Sequence, residues 1–354
     1  MTKAFVTGAT GFIAQHIIKL LLSKGYEVVG TVRSASKGEQ MKSMMLPTDN
    51  FTYEIVPELS APDVFDEIVP ELSAPDAFDE VLSKHNDIKY LFHAASPLTF
   101  DTEDPENVIL KPAIKGTENV LNAALTHCPE LKRLVLTSSD AAMYSNKDET
   151  NPELSFNEGS WNNTKYEDAK KDNITAYYAS KAFAEKFAWE FVMMQKPPFG
   201  LVVVNPSWVF GPKAYDFDPK RFNSSNELID DVLKLNHGNN STFENDAGGY
   251  ISVNDIAKVQ VYAIETDELV NKRLLMTNGY FTTQLLLDIV NKNFPELDLP
   301  KGNPGTEEND FKKLAKVSNN ATKKLLPWKF ESLESIVVST VKQILDSRTD
   351  NVNK

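Results

Sequence analysis

Two periods of hydrophobic spacing alternate along the first 205 residues. Nearly continuous apolar runs, typical of strands buried in a parallel sheet, occur at 4–7, 27–32, 51–56, 88–95, 131–138 and 201–205. Between them, apolar residues recur at helical spacing over 12–24, 77–85, 107–125 and 175–194. This alternation of strands and helices predicts an α/β fold built on a doubly wound parallel sheet.

The remainder of the chain is interrupted by Pro, Asn and Gly near positions 212, 219, 238 and 300–305. We therefore expect a smaller C-terminal lobe rather than an independent domain. Residues 1–205, with 250–278 returning to them, are predicted to form a dinucleotide-binding (Rossmann) domain. The smaller lobe, predicted to bind substrate, comprises 206–249 and 279–354.

A tandem duplication interrupts the regular pattern. The stretch 54–66 is repeated at 67–79 with one difference, Val64 against Ala77. A single repeat is too few to form a solenoid. We expect the third strand to use the first copy and the next helix to use the second, so that residues 60–73 form an extra surface loop without a functional site.

Charge and cysteine content narrow the function classes. The net charge is −13, which argues against nonspecific binding to nucleic acid or to an anionic membrane surface. No apolar run approaches the length of a membrane span, and the N-terminus resembles no leader peptide. Cys128 is the only cysteine, and the five histidines have no metal-ligand spacing. We expect a cytoplasmic protein with no metal.

The first strand ends in a glycine turn that opens the first helix. Gly8 permits the tight turn, Gly11 lets backbone N–H groups approach a pyrophosphate, and the small Ala14 allows close packing of helix on sheet. The N-terminus of the helix supplies positive potential for the anion. The arrangement predicts a dinucleotide-binding turn.

The end of the second strand indicates which dinucleotide is bound. Folds of this kind that prefer NAD place an acidic residue about 20 residues after the glycines, whereas an arginine accommodates a 2′-phosphate. Arg33 occupies this position, with Lys37 nearby. The sequence therefore predicts NADPH as cofactor.

Two Tyr-x-x-x-Lys pairs are candidates for acid catalysis. A lysine one helical turn after a tyrosine lies on the same helix face, where its charge stabilises the phenolate. Tyr166 and Lys170 lie in a charged stretch and are interpreted as a surface pair. Tyr177 and Lys181 begin a strongly amphipathic helix and are the preferred pair. Ser139, at the carboxyl end of a central strand, could donate to the substrate oxygen.

Aromatic and apolar residues in the loops after the strands suggest a substrate pocket. The candidates, for each of which core packing is an equally good interpretation, are Leu98, Phe100, Tyr144, Trp161 and Trp208.

Seven ordered motifs carry a resemblance to a known family. They are T-G-A-T-G-F-I-A (7–14), H-A-A-S-P (93–97), K-P-A-I-K-G-T-E-N-V-L (111–121), L-T-S-S (136–139), Y-Y-A-S-K (177–181), N-P-S-W-V-F-G-P (205–212) and Y-I-S-V-N-D-I-A (250–257). Together they resemble the extended short-chain dehydrogenase/reductase family. The greatest similarity is to the branch that holds plant dihydroflavonol and cinnamoyl-CoA reductases and yeast NADPH-dependent methylglyoxal reductases.

The resemblance implies an NADPH-dependent oxidoreductase that reduces small aldehydes, ketones or α-dicarbonyls such as methylglyoxal. In that family the tyrosine matching Tyr177 is the general acid. The lysine matching Lys181 holds the nicotinamide ribose and lowers the pKa of the tyrosine, and the serine matching Ser139 polarises the carbonyl.

The same resemblance implies a set of cofactor contacts. It assigns the pyrophosphate to the glycine turn, the 2′-phosphate to the basic pair after the second strand, the adenine to the end of the third strand, and the ribose and nicotinamide to later strand ends. The residues are Gly8, Gly11, Phe12, Ile13, Arg33, Lys37, Glu58, Leu59, Ala95, Pro206 and Val209. Because the duplication also offers Glu71, which copy contacts the adenine stays open.

One departure from the family concerns the pocket. Asp140 follows the serine where relatives tend to carry an apolar or aromatic residue, and it joins Leu98, Tyr144 and Trp208 in the predicted substrate pocket. Two alternatives to a reductase are a nucleotide-sugar epimerase or dehydratase of the extended family and a non-catalytic NADP-binding redox sensor. The expected partner is a small carbonyl compound, and the protein is expected to be a monomer or homodimer.

Overall fold

The computed structural model describes residues 1–45, 48–56, 77–96, 99–215, 223–238 and 241–352. Its strands, numbered in chain order, are β1 Lys3–Thr7, β2 Glu27–Val32, β3 Phe51–Ile55, β4 Tyr90–His93, β5 Arg133–Thr137, β6 Ser155–Phe156, β7 Gly200–Pro206, β8 Trp208–Phe210, β9 Ala247–Ser252, β10 Arg273–Met276, β11 Tyr280–Thr282 and β12 Lys316–Val317. Glu58, Leu59 and Leu98, as well as the predicted extra loop at 60–73, lie outside the described residues.

The helices comprise long elements that cover the main sheet and shorter ones in the insertion and the C-terminal part. They are α1 Phe12–Ser23, α2 Ala35–Met44, α3 Asp79–Lys84, α4 Lys111–His127, α5 Asn146–Glu149, α6 Tyr166–Ala169, α7 Asn173–Gln195, α8 Ser224–Val232, α9 Val253–Glu265, α10 Thr283–Asn293, α11 Glu307–Phe311, α12 Asn320–Leu325 and α13 Leu333–Val352. In addition, a π-helical turn, Glu106–Leu110, precedes α4, and 3₁₀ turns lie at Asp140–Ala142 and Pro295–Leu297.

Within the described ranges, the main sheet has seven strands in the order β10-β7-β5-β4-β1-β2-β3. Each neighbouring pair is parallel, and Thr7 of β1 lies beside His93 of β4. The strand order reverses between β1 and β4, so a crevice opens there at the carboxyl ends of the strands. The predicted doubly wound parallel α/β fold is confirmed.

Alternating side chains of the strands pack into two cores on opposite faces of the sheet. Ala4 and Val6 of β1 face the core that contains α1 and α9, whereas Phe5 faces the core that contains α4 and α7. Since successive strand residues point to opposite faces, continuous apolar runs are needed where helices cover both faces.

Helix α7 begins two residues before the predicted start at 175. Asp172 is its N-cap, and its side chain accepts a hydrogen bond of 2.8 Å from the backbone N–H of Thr175. This cap satisfies one of the free N–H groups of the first turn, so the helix begins where the cap allows rather than at the first apolar residue. The helix ends at Lys196 in the left-handed conformation, with φ of 47°.

A third hydrophobic core lies in the C-terminal part of the chain. It combines Phe210 of β8 and Phe281 of β11 with apolar faces of α8, α10 and α13. In the described part of this region, β8, β9 and β11 form a three-stranded sheet in which β9 is central. By contrast, α9 packs on the main sheet and β10 extends its edge.

None of the helices that the structure describes has the length and hydropathy required to cross a membrane.

Candidate active site

The glycine turn lies at the switch point of the sheet. Gly8 has φ of +66°, and a Cβ added there would lie 3.1 Å from the Cα and Cβ atoms of Ala95. A Cβ on Gly11 would lie 3.1 Å from the carbonyl oxygen of Gly8. The close approach of the two strand ends and the left-handed backbone therefore both favour glycine at position 8.

Side-chain hydroxyls hold this turn in place. The Thr31 hydroxyl accepts a hydrogen bond of 3.0 Å from the Gly8 N–H. The Thr7 hydroxyl accepts bonds from the N–H groups of Ala94 and Ala95, at 3.1 and 3.0 Å. These bonds fix the loop after β4 against the glycine turn, although neither threonine is among the residues predicted from the sequence.

Helix α1 begins immediately after the turn. Its N-cap is Gly11, which has no side chain to occupy the free N–H groups of the first turn, and Phe12 and Ile13 are its first residues. A helix N-terminus of this kind suits a pyrophosphate. The observed cradle therefore fits the dinucleotide that the sequence predicts.

The predicted 2′-phosphate residues lie at the start of the next helix. Arg33 is exposed and follows β2, whereas Lys37 is partly buried in the first turn of α2. Between them, the Ser34 hydroxyl caps α2 by accepting a hydrogen bond of 3.4 Å from the Lys37 N–H. Arg33 and Lys37 therefore lie on either side of the N-cap of α2, close to a helix N-terminus.

The three predicted catalytic side chains converge from different elements. Ser139 follows β5, and its hydroxyl lies near enough to the Tyr177 phenol, at the start of α7, to influence its pKa. The ammonium of Lys181, one turn later, lies 5.5 Å from the centre of the Tyr177 ring. The other candidate pair lies elsewhere, since the Tyr166 hydroxyl donates to Glu106 at 3.2 Å and Lys170 pairs with Glu167 at 2.8 Å.

Burial shifts the proton affinities of this group. It raises the pKa of Tyr177 to about 12, an effect that the bond to Ser139 opposes and the charge of Asp140 reinforces. This direction is opposite to the lowering expected from Lys181, because desolvation of the phenolate is the largest cause of the shift. Burial also lowers the pKa of Lys181 to about 8.

Lys181 has a partner that sequence analysis did not single out. Its ammonium donates a hydrogen bond of 2.8 Å to the Ser96 hydroxyl, in the loop after β4. Ser96 lies in the H-A-A-S-P motif, which is the signal that could have identified it. This bond orients the ammonium beside the switch point.

Asp140 and Tyr144 form a buried pair next to Ser139. The Asp140 carboxylate accepts 3.1 Å and 2.5 Å hydrogen bonds from the hydroxyls of Ser139 and Tyr144. The Tyr144 ring is 2% exposed and packs with Phe156 and Tyr178. Both residues therefore lie next to Ser139, and Asp140 joins the hydroxyls of Ser139 and Tyr144.

The remaining predicted pocket and nicotinamide residues lie on or near β7 and β8. Pro206 ends β7, and its carbonyl oxygen lies 3.5 Å from the Ser139 hydroxyl. Val209 is buried in β8, and the neighbouring Trp208 ring packs on Phe281 with ring centres 5.5 Å apart. β8 therefore connects the site to the third core.

Two further pocket candidates have different surroundings. Phe100 is 46% exposed and its ring lies edge-on to Tyr177, with ring centres 5.4 Å apart. The Trp161 ring instead packs against the guanidinium of Arg273 at 3.8 Å. Among the ring contacts of the described residues, Phe100 contacts the catalytic candidate Tyr177, whereas Trp161 contacts Arg273.

Glu185 forms a buried polar centre beneath the site. One carboxylate oxygen accepts bonds from Ser138 at 2.7 Å and Asn205 at 2.6 Å, and the other accepts from Arg273 at 2.5 Å. The Asn205 amide also donates to the Ser139 carbonyl oxygen at 3.0 Å. Glu185 follows Lys181 by four residues, and this helical spacing is the signal that could have identified it.

Comparison with known proteins gives consistent matches over almost the whole chain. The model of the NAD dependent epimerase/dehydratase family matches residues 4–275. The NADPH-dependent methylglyoxal reductase of Saccharomyces cerevisiae is 39% identical over 350 residues, covering 97% of this chain and 98% of that protein.

Solved structures are similar to this chain over almost its whole length. Yeast methylglyoxal/isovaleraldehyde reductase complexed with NADPH is 38% identical with a TM-score of 0.90, covering 98% of this chain and 99% of that one. Gre2 from Candida albicans in complex with NADPH is 36% identical with a TM-score of 0.89, at the same coverage of 98% and 99%. The chain therefore belongs to the NAD dependent epimerase/dehydratase family, as the resemblance to extended short-chain dehydrogenases/reductases predicts.

Proposed function

We propose that this protein is an NADPH-dependent carbonyl reductase that converts small aldehydes, ketones or α-dicarbonyls such as methylglyoxal to alcohols. Its membership of the family and its likeness, at 38–39% identity, to proteins named as methylglyoxal reductases support this proposal. The observation that carries it is the contact of Ser139, Tyr177 and Lys181 beside a glycine-lined dinucleotide cradle.

Each of the three side chains has a role in this proposal. Tyr177, which is protonated at neutral pH and whose pKa burial raises to about 12, gives its proton to the carbonyl oxygen. Ser139 donates a hydrogen bond to the same oxygen, where negative charge develops. Lys181, held by Ser96, contributes positive charge beside the phenol and holds the nicotinamide ribose. NADPH, when bound, supplies the hydride that reaches the carbonyl carbon.

The chain offers residues for each part of the dinucleotide. In this proposal the turn from Gly8 to Gly11, with the backbone of Phe12 and Ile13, holds the pyrophosphate, and Arg33 and Lys37 hold the 2′-phosphate. The assignments to the ribose and nicotinamide are Ala95, Pro206 and Val209. The adenine assignment, Glu58 and Leu59, rests on sequence alone.

Asp140 and Tyr144, which lie next to Ser139, and Trp208 of β8 are the described residues that we propose for the substrate pocket. The assignment of Leu98 to this pocket rests on sequence alone. The separate third core supports the proposed division into a dinucleotide-binding part, 1–205 with 250–278, and a smaller lobe, 206–249 with 279–354. The single cysteine supports a cytoplasmic location, and we propose a monomer or homodimer.

The direct test is an assay of NADPH consumption by the purified protein with methylglyoxal, aliphatic aldehydes and ketones. The proposal predicts turnover with NADPH and an alcohol product. Binding of NADPH without consumption across the whole carbonyl panel would instead support a redox sensor. Conversion of a nucleotide sugar with no net use of NADPH would support an epimerase or dehydratase.

A further inference from the structure

The hydroxyl of Ser139 is engaged by more groups than one proton can serve. Its oxygen lies 3.1 Å from Asp140 Oδ1 and 3.5 Å from the Pro206 carbonyl oxygen. The carbonyl oxygen can only accept a hydrogen bond, and the same holds for Asp140 while it is ionised. The oxygen also accepts a bond of 3.2 Å from the Ala141 N–H. A serine hydroxyl has a single proton to donate. If Asp140 takes it, none remains for a substrate carbonyl.

Asp140 is built into the fold rather than exposed on a loop. It is 9% exposed and begins the 3₁₀ turn that Ser139 caps. Its second oxygen accepts from the hydroxyl of Tyr144, which is 2% exposed. One oxygen of the carboxyl therefore bonds Ser139 and the other bonds Tyr144. The bond to Tyr144 holds the carboxyl in position, whereas protonation of the carboxyl changes the direction of its hydrogen bond to Ser139.

We propose, on the basis of the reductase function proposed above, that Asp140 is a positioning residue whose protonation state sets the direction of the Ser139 hydroxyl. Ionised Asp140 accepts a hydrogen bond from the Ser139 hydroxyl, which then cannot donate to the substrate. Protonated Asp140 donates to the serine oxygen, and the serine proton then points to the carbonyl oxygen of the substrate. In this step Asp140 takes up one proton from solvent and forms an O–H bond. No bond between heavy atoms forms or breaks, and the hydrogen bond between Asp140 and Ser139 reverses its direction.

The surroundings place this change in an accessible pH range. Burial raises the pKa of Asp140 to about 6, against the opposing bonds from Tyr144 and Ser139. The 3₁₀ turn packs on α7 and β7, and β7 carries no titratable side chain. The titratable groups that interact with Asp140 are Tyr144, which follows the turn, Glu149 on α5, and Tyr177 and Tyr178 on α7. Lys181 and Glu185 follow Tyr177 on α7 at intervals of four residues.

The effect of Glu149 ionisation on activity must be distinguished from that of Asp140 ionisation. Glu149 accepts a 2.5 Å hydrogen bond from Tyr178, and burial together with the charge of Asp140 raises its pKa to about 7. Among the hydrogen bonds of the described residues, Glu149 bonds Tyr178 and not Ser139, so we expect its ionisation to reach the serine through the charge of Asp140. A test must therefore report on Asp140 itself.

The test compares pH profiles of kcat/KM for NADPH-dependent reduction of methylglyoxal between about pH 5 and pH 8. For the wild type we expect kcat/KM to fall on the order of tenfold as pH rises through the pKa of Asp140. Asp140→Asn should be nearly flat over this range, because the amide can donate to Ser139 and accept from Tyr144 at every pH. Asp168→Asn, at an exposed aspartate of α6, is the matched control and should keep the wild-type profile.

A second variant tests the direction of the effect. The bond from Tyr144 lowers the pKa of Asp140, so Tyr144→Phe should move the fall in kcat/KM to higher pH. The ¹³C signal of the Asp140 carboxyl, followed by NMR without substrate, should titrate at the kinetic midpoint and move with it in Tyr144→Phe.

A wild type that consumes no NADPH at any pH would overturn the reductase proposal. Turnover with the same pH profile in wild type and Asp140→Asn, or a carboxyl that titrates at an ordinary aspartate pKa, would overturn the Asp140 inference alone.

Discussion

Burial acts on Tyr177 and Lys181 in opposite directions. The phenol becomes a weaker acid, with a pKa raised to about 12, and the ammonium becomes a stronger one, with a pKa lowered to about 8. In both cases the cause is the cost of holding a charge away from water. The proposed proton donor is thus protonated, and its neighbouring lysine is still largely charged, at neutral pH.

The shift of Lys181 leads to a prediction about stability. A folded-state pKa below the unfolded value means that the unfolded chain binds more protons between about pH 8 and 10.5, so this group destabilises the fold below that window and the penalty disappears as pH rises through it. Lys181→Met removes the buried charge. We expect a melting temperature at pH 7 no lower than that of the wild type, measured by calorimetry, with activity reduced on the order of 100-fold. A clear fall in melting temperature would contradict this account.

Arg33 decides cofactor choice in the proposed function. A guanidinium pairs with the 2′-phosphate, which NADH lacks. Arg33→Asp should therefore weaken NADPH binding by at least about tenfold and NADH binding much less, as measured by titration calorimetry. Arg348→Asp, remote in sequence and paired with Asp230, is a charge-matched control for NADPH binding. Equal losses for both cofactors in Arg33→Asp would contradict the phosphate assignment.

At the scale of elements, one face of α7 carries the site and its support. Tyr177, Lys181 and Glu185 follow one another at intervals of four residues, and Glu185 joins the helix to β5, β7 and β10 through Ser138, Asn205 and Arg273. The helix is therefore held in register with the strand ends from which Ser139 projects.

This arrangement predicts a large effect at Glu185. Glu185→Leu leaves the guanidinium of Arg273, which is 10% exposed, without its carboxylate, and breaking such a buried pair typically costs about 3–5 kcal/mol. We expect a loss of that size in the free energy of unfolding, measured by urea denaturation, together with lower activity. Glu190→Leu, at an exposed position of the same helix, should change stability by less than about 0.5 kcal/mol. Similar losses in the two variants would show that the network is not the cause.

Sequence patterns predicted the positions of strands and helices better than they predicted the contacts between side chains. The runs at 4–7 and 27–32 match β1 and β2 to within one residue, because continuous apolar strands leave little ambiguity. The start of α7 differed by two residues, since Asp172 caps the helix ahead of its apolar stripe. The partners of Lys181 and Glu185 depend on which loops and strands the fold brings together, and such distant pairing leaves no periodic signal.

At the scale of the whole molecule, function depends on where the sheet reverses its order. The glycine turn after β1, the loop after β4 and the serine after β5 all lie at the carboxyl ends of neighbouring strands. Residues more than 170 positions apart in the chain, from Gly8 to Lys181, therefore share one crevice. The motifs predicted this convergence, because parallel strands place their carboxyl ends on one edge.

The most direct test of the account is the rate of NADPH-dependent methylglyoxal reduction by Tyr177→Phe, with NADPH affinity measured in the same variant. Tyr166→Phe is the matched control, since Tyr166 belongs to the other Tyr-x-x-x-Lys pair and bonds Glu106. We expect Tyr177→Phe to lose at least about 100-fold in kcat while binding NADPH normally, and Tyr166→Phe to keep wild-type turnover. Wild-type turnover by Tyr177→Phe would contradict it.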